Sequence, residues 1–151
     1  MKIEEAIQQK KFMNAFQKVH INVLYTASFL SQQTSESLRP FRLTIQQFNI
    51  LRILRGRYPE PATIKELTAR MLDKMSNASR LVDKLLEKGL VERRTCSEDR
   101  RRVDVVISKE GLDLLSKVSA IVEQRYEQQF QQLSEVEAAQ LSDLLDKLRN
   151  D

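Results

Sequence analysis

Residues 63–108, TIKELTARMLDKMSNASRLVDKLLEKGLVERRTCSEDRRRVDVVIS, contain two helical patterns followed by two strand patterns. Apolar residues recur at helical spacing over residues 63–71 and, after a short break, over residues 74–88. Apolar and polar residues then alternate over residues 91–95 and 103–107. The order predicts a short helix, a tight turn, a second helix and a two-stranded hairpin in which each strand buries one face.

Two helices joined by a tight turn form a helix-turn-helix, and a charged hairpin directly after it makes a winged helix. In such a motif the N-terminal part of the second helix enters the major groove of DNA. Arginine can donate two hydrogen bonds to guanine, asparagine can pair with adenine, and serine and lysine suit phosphate oxygens. The candidate DNA-binding residues of this recognition helix are Lys74, Ser76, Asn77, Ser79, Arg80 and, at the flanking backbone, Lys84.

The tip of the hairpin, or wing, carries three consecutive arginines, Arg100, Arg101 and Arg102. An arginine at a hairpin tip is slim enough for the minor groove, where narrow A·T tracts concentrate negative potential. Asp99 would be repelled by phosphate, so we assign it to shaping the wing, either by accepting backbone amides or by pairing with an arginine. The alternative for the arginines is an ordinary solvated loop, but their place after a helix-turn-helix favours DNA.

Long amphipathic helices flank this region. Residues 3–37 carry an apolar stripe and predict one helix, which Arg39-Pro40 ends because the residue before a proline avoids helical geometry. Further apolar stripes predict a helix from Ser108 to about Gln132 and a last helix after Ser134. The predicted architecture is mainly α with a small β-hairpin, in a single domain over 1–151.

A winged helix-turn-helix over 44–108 is too small to cover the apolar stripes at both ends of the chain. These stripes need each other or a second copy of the chain. We therefore predict that residues 1–37 and 109–151 are dimerisation helices.

Composition limits the alternatives. The 151 residues are 41% hydrophobic and 30% charged, and they include only three glycines and three prolines, too few for an all-β protein. No apolar stretch is long enough for a membrane span, the N-terminus has no secretory pattern, and the single cysteine, Cys96, cannot form an internal disulfide. These features lead us to expect a cytoplasmic protein.

Charge is uneven along the chain. The net charge is +4, with +4 over residues 39–61, +3 over 62–110 and −4 over 111–151. A basic middle attracts polyanions such as nucleic acid, although a solvated surface of mixed sign is an equally open interpretation of charge alone.

The same stretch resembles the MarR family of bacterial transcription regulators. The pattern Asp99-x-Arg101-x-x-x-Val105-x-Ile107-Ser108 is similar to the family's wing signature D-x-R-x-x-x-V-x-L-T. Residues 79–85, SRLVDKL, and 88–91, KGLV, are similar to its recognition helix and the exit from it, and the order of helices matches over nearly the whole chain.

The resemblance implies an obligate homodimer that binds a pseudo-palindromic operator, with Arg101 as the wing arginine and release of the DNA by a small-molecule effector or an oxidant. Two departures limit what it implies. Lys74 and Met75 differ from the small polar residues of many relatives, so the operator sequence does not carry over. The first helix, residues 3–37, lacks the cysteine of the family's peroxide sensors.

The sequence thus predicts a homodimeric, sequence-specific DNA-binding transcriptional regulator, with repression favoured over activation. Two alternatives stay open: a non-specific DNA-binding protein of the same fold, and a helical adaptor that binds a protein. The chain has no glycine-rich phosphate loop and no nucleophile–histidine motif, so no enzyme is predicted. No cofactor is expected, and one histidine and one cysteine do not predict a metal site.

Overall fold

The computed structural model describes residues 1–96, 98, 99 and 101–149. The chain forms two compact units, residues 1–45 and residues 46–151.

The first unit contains two α-helices, α1 (Ile3–Ala6) and α2 (Ala15–Leu38), and a 3-10 helix (Arg39–Phe41). The prediction of one helix over 3–37 is wrong. The chain leaves helical geometry after α1, Gln8 has a left-handed φ of 54°, and Asn14 starts α2 by accepting a hydrogen bond from the Gln17 amide at 2.9 Å. Asparagine is a strong N-cap, so it begins a new helix where the apolar pattern alone suggests continuation.

The predicted end of this helix before Pro40 is confirmed, since α2 ends at Leu38. The expected reason is wrong, because Arg39 keeps helical angles, with φ −53° and ψ −45°, and Pro40 lies in the first turn of a 3-10 helix. Along α2 only Leu38 is buried. In the predicted stripe, Phe16, 83% exposed, and Val19 stay exposed in the single chain, whereas Val23 and Leu30 are half-buried.

The second unit contains the predicted winged helix. Its elements are α3 (Ile45–Arg55), β1 (Ala62–Thr63), α4 (Ile64–Arg70), α5 (Ala78–Glu87), β2 (Val91–Thr95), β3 (Val103–Ile107), α6 (Lys109–Phe130) and α7 (Glu135–Arg149). Gly89 ends α5 with a φ of 69°, a conformation that costs a glycine little. Ser108 caps α6 by accepting from the Gly111 amide at 3.0 Å.

The three strands form an antiparallel sheet in the order β1-β3-β2. Val91 pairs with Ile107 and Thr95 with Val103, while the two-residue strand β1 pairs with β3 on its other edge. The sequence did not predict β1, because two residues are too few to show alternation.

The prediction that each hairpin strand buries one face is also wrong. In β3 the residues from Asp104 to Ile107 are all buried, whereas in β2 only Val91 is buried. The central strand of a three-stranded sheet has neighbours on both edges and is covered more completely than the outer strand, so alternation fails in both directions.

The core of the second unit consists of apolar side chains from elements between α3 and α6. Its fully buried large side chains are Ile50, Leu51, Leu54, Leu67, Met71, Val82, Leu85, Val105, Val106, Ile107 and Leu115. The buried faces of α4 and α5 agree with the helical spacing of apolar residues over 63–71 and 74–88, and they leave the opposite face of α5 in solvent.

The last two helices differ in burial. Val118 and Val122 of α6 are buried, but Tyr126 and Phe130 further along the same stripe are exposed, and α7 buries none of its residues. Within the described residues, none of the helices combines the length and the apolar character that crossing a bilayer requires.

Candidate nucleic-acid interface

The start of α4 is fixed by a reciprocal capping box. The Thr63 amide donates to Glu66 Oε2 at 2.7 Å, and the Glu66 amide donates to Thr63 Oγ1 at 3.2 Å. The hydrogen bonds from Thr63, with the nearby Arg57 guanidinium, hold the pKa of Glu66 below its ordinary value of 4.5. The box fixes the N-terminal end of α4, which is the first helix of the helix-turn-helix.

The turn between α4 and α5, residues 71–77, is held by side-chain oxygens that accept hydrogen bonds from its backbone amides. The Leu72 amide donates to Asn49 Oδ1 at 2.9 Å, and the Met75 amide donates to Asp73 Oδ1 at 3.0 Å. The Met75 amide is the main cause of a lowered pKa of Asp73. The turn therefore has a defined backbone although most of its side chains are exposed.

The recognition helix is shorter than predicted. It begins at Ala78 rather than at Lys74, because Asn77 is its N-cap and accepts from the Arg80 amide at 3.1 Å. Lys74 and Ser76 consequently lie in the turn and not on the helix. Lys74 Nζ donates to the Ala69 carbonyl at 2.7 Å, which closes the C-terminal end of α4.

The exposed face of α5 carries Ser79, Arg80 and Lys84, opposite the buried Ala78, Val82 and Leu85. Lys84 forms an ion pair with Glu87 one turn further along, at 3.0 Å. Arg80, in the first turn of the helix, is the exposed cation nearest its N-terminus.

In the wing, the chain turns at Asp99. Its Oδ1 accepts from the Arg101 amide at 2.9 Å and its carbonyl accepts from the Arg102 amide at 3.0 Å. Arg101 is exposed next to this turn. Arg100, the third predicted wing arginine, lies outside the described residues.

Arg102 differs from Arg101 in having an acidic partner within the sheet. Its Nε donates to Asp104 Oδ1 at 2.9 Å, and this contact raises the pKa of Arg102 above its ordinary value. The guanidinium is thereby held beside β3, whereas Arg101 lies at the turn.

An ion pair that sequence reasoning missed joins the recognition helix to the wing. Arg93 of β2 donates to Asp83 of α5. The two residues are ten positions apart on elements of different type, so no periodic pattern indicates the contact.

A metal-assisted role has no visible site in the described part of the chain, where no three His, Cys, Asp or Glu side chains are grouped as ligands.

Comparison with known proteins places this geometry in a family. The family model described as "MarR family" matches residues 43–103. A MarR transcription factor from Planctomyces limnophilus is 30% identical, with a TM-score of 0.69, over 90% of this chain and 98% of that one. The chain belongs to the MarR family. The resemblance seen in the sequence and the predicted winged-helix class are confirmed.

Further solved structures share the fold. A cysteine-to-serine mutant of MarR from E. coli complexed with operator DNA is 23% identical, with a TM-score of 0.79, over 93% of this chain and 100% of that one. The organohalide-sensing regulator RdhR-CbdbA1625 in its 2,4-dichlorophenol-bound form is 20% identical, with a TM-score of 0.80, over 93% of this chain and 86% of that one.

Membership makes this MarR protein a transcription regulator with a winged-helix DNA-binding region, as the sequence predicted. Its family and its structural neighbours are regulators and not enzymes. The structure brings Asn77, Ser79, Arg80 and Lys84 together on and at the start of α5, and it puts Lys74 and Ser76 in the preceding turn.

Proposed function

We propose that the protein represses transcription by binding a pseudo-palindromic operator as a homodimer. Each protomer inserts α5 into a major groove and its wing into the adjacent minor groove. The observation that carries the proposal is the exposed polar face of α5, with Arg80 in its first turn, on a helix whose opposite face is buried. Such a helix is firmly held and offers its polar side to a partner.

Within this proposal the contacts divide by chemistry. Arg80 donates to a guanine edge, because an exposed arginine near the start of a recognition helix can form two hydrogen bonds there. Asn77 Oδ1 already accepts one hydrogen bond, from the Arg80 amide, so the amide NH2 group of Asn77 is the part that we assign to a base. Ser79 donates to a phosphate oxygen, and Lys84 contributes charge at the DNA backbone. Lys74, whose ammonium group donates to the Ala69 carbonyl, and Ser76, whose hydroxyl oxygen is buried, hold the turn before α5.

In the wing, Arg101 enters the minor groove. The hydrogen bond from its amide to Asp99 fixes the turn at its base. Arg102 supports the wing through Asp104 and adds positive charge near the phosphates. Arg100 adds to the same cluster by sequence.

The homodimer rests on uncovered apolar surface. Leu144, 64% exposed, and Leu148, 61% exposed, lie on one face of α7, and α2 exposes Phe16 and Leu24. Apolar side chains left exposed on each of these helices are typical of an interaction site, and a second copy of the same helices is the simplest partner. The dimerisation helices remain those predicted, 1–37 and 109–151.

A small-molecule effector that releases the DNA belongs to the proposal, as does a cytoplasmic, non-enzymatic role. The 2,4-dichlorophenol complex of a structural neighbour supports the effector, and a bacterial gene regulator acts where the chromosome lies.

The test is selection from random duplex DNA with the full-length protein at about 150 mM salt and excess competitor DNA. We expect a pseudo-palindrome with half-sites about one helical turn, ~10 bp, apart. Binding at low salt with no enriched motif would instead indicate a non-specific DNA-binding protein. Absence of binding at every salt concentration would favour the protein-binding adaptor.

A matched pair of variants adds a check on the interface. Arg80→Ala and Lys117→Ala each remove one exposed positive charge, but Lys117 lies on α6. Only Arg80→Ala should change the selected motif. Equal effects of the two variants would mean that net charge alone governs binding.

A further inference from the structure

Two large apolar side chains are exposed in the turn that precedes the recognition helix. Met75 is 92% exposed and Leu72 is 80% exposed. Each belongs to a residue whose backbone amide is held by an acceptor, Asp73 for Met75 and Asn49 for Leu72. The turn therefore presents these side chains from a fixed backbone.

Met75 is the better placed of the two for contact with DNA bases. It lies two residues before Asn77, the N-cap of α5, and the N-terminal end of a recognition helix is the part that meets base edges. Leu72 directly follows the C-cap of α4 and lies five residues before that N-cap. Dimerisation through the terminal helices leaves this turn uncovered, because the recognition helix has to face DNA.

The major groove contains one apolar group, the C5-methyl of thymine. Methionine suits it, because its unbranched, polarizable side chain adapts to an irregular apolar contact. The neighbouring Lys74 has its ammonium group bound to the Ala69 carbonyl, so it directs its charge toward α4.

We propose that Met75 reads a thymine by contact with its C5-methyl group, once in each half-site of the operator. This inference rests on the proposed function and deepens it, since it names a base that the sequence-specific contact requires. It assigns part of the specificity to an apolar residue in the turn in addition to the polar residues of α5.

The test uses the selected operator and the full-length protein. Each thymine is replaced in both half-sites by deoxyuridine, which removes only the methyl group and keeps the hydrogen-bonding edge. We expect one symmetric position at which the replacement weakens binding about fourfold per half-site, from the burial of a single methyl-sized group. Met75→Ala should bind thymine and deoxyuridine at that position equally.

Two further variants control the result. Met75→Leu keeps an apolar side chain and should retain most of the discrimination. Leu72→Ala removes a similarly exposed apolar side chain from the same turn and should leave the discrimination intact. Because Met75 is almost fully exposed, its replacement should leave the melting temperature unchanged, which is measured alongside.

Wild-type binding that ignores every thymine methyl would overturn the inference while leaving the operator, and thus the proposed function, in place. The same holds if Met75→Ala discriminates as strongly as the wild type. Failure to select any operator would instead overturn both.

Discussion

Asp83 of the recognition helix and Arg93 of the wing form an ion pair, so the two elements proposed to contact DNA are tied to each other near the exit of the helix. The pair is about half-exposed on both sides, and exposed pairs contribute at most about 1 kcal/mol to stability. Its main effect should therefore be to fix the angle between helix and wing.

We expect Asp83→Asn and Arg93→Met each to lower operator affinity several-fold while changing the melting temperature little. The double variant should bind about as well as either single variant, because the second change removes a contact already lost. Affinities are measured by fluorescence anisotropy. Strictly additive losses would show that the two residues act independently.

Replacing Asp99 has two opposing effects on DNA affinity, because its carboxylate both repels phosphate and holds the turn of the wing. If its charge mattered most, Asp99→Ala would tighten DNA binding by removing a repelled carboxylate. Because the carboxylate accepts the Arg101 amide, we expect the loosened turn to weaken binding and to reduce the preference for A·T flanks. Tighter binding by Asp99→Ala would contradict a wing-shaping role. Asp99→Asn should have a DNA affinity between those of the wild type and Asp99→Ala.

Substitutions of Arg80 and Lys84 should differ in the kind of DNA binding that they weaken. Arg80→Ala should cost about 1–3 kcal/mol and relax one base position, whereas Lys84→Ala should weaken specific and random DNA alike and lower the salt slope by about 1. Titrations against operator and scrambled DNA at several salt concentrations distinguish them. Equal weakening of both DNAs by Arg80→Ala would exclude base reading by Arg80.

The capping box at α4 predicts an acid-sensitive helix-turn-helix. The folded-state pKa of Glu66 is lowered, so its contribution to stability is present above the unfolded value, near 4.5, and is lost as the pH falls through the folded value. Urea titrations between pH 6 and pH 3 should show this loss for the wild type and a smaller one for Glu66→Gln.

The matched control is Glu137→Gln, which removes the charge from the equivalent box with Ser134 at the start of α7. We expect it to leave operator affinity at pH 6 closer to the wild-type value than Glu66→Gln does. If the two variants lose the same affinity, the box at α4 has no special part in positioning the turn.

The proposed dimer interface is tested by substitutions in α7. Leu144→Glu together with Leu148→Glu places charge on its exposed apolar face and should shift the protein toward monomers in sedimentation velocity, with loss of operator binding. Ser142→Glu adds a charge to the same exposed helix outside the apolar stripe and should leave the dimer intact. A dimer unaffected by the double change would place the interface elsewhere.

Local chemistry explains which parts of the fold the sequence could predict. The helical spacing of apolar residues in α4 and α5 and the end of α2 before Pro40 depend on near neighbours along the chain, so the sequence predicts them correctly. The start of α5 was misplaced because Lys74 to Asn77 continue a helical spacing while Asn77 caps the helix. The burial of both faces of β3 and the Asp83–Arg93 pair depend on tertiary neighbours, which periodicity does not encode.

The candidate site follows the same division. The residue types on α5 and in the wing could be identified from the sequence, because their chemistry is that of the groups they would contact. The positions of their side chains could not be predicted, because Lys74 donates to a carbonyl at the C-terminal end of α4 and Arg102 donates to Asp104. Both shifts come from contacts that only the folded chain brings together.

Gly111, in the first turn of α6, has a mechanical consequence. A Cβ there would overlap the Leu90 carbonyl oxygen and lie 2.7 Å from Ile107 Cγ1, so α6 begins in direct contact with the chain leaving α5 and with the end of β3. The 22 residues of α6 span about 33 Å, and a tilt of about 10° at this close-packed end would carry the far end about 6 Å. We therefore expect a rotation imposed on the exposed apolar end of α6 to change the angle of the winged helix at its other end.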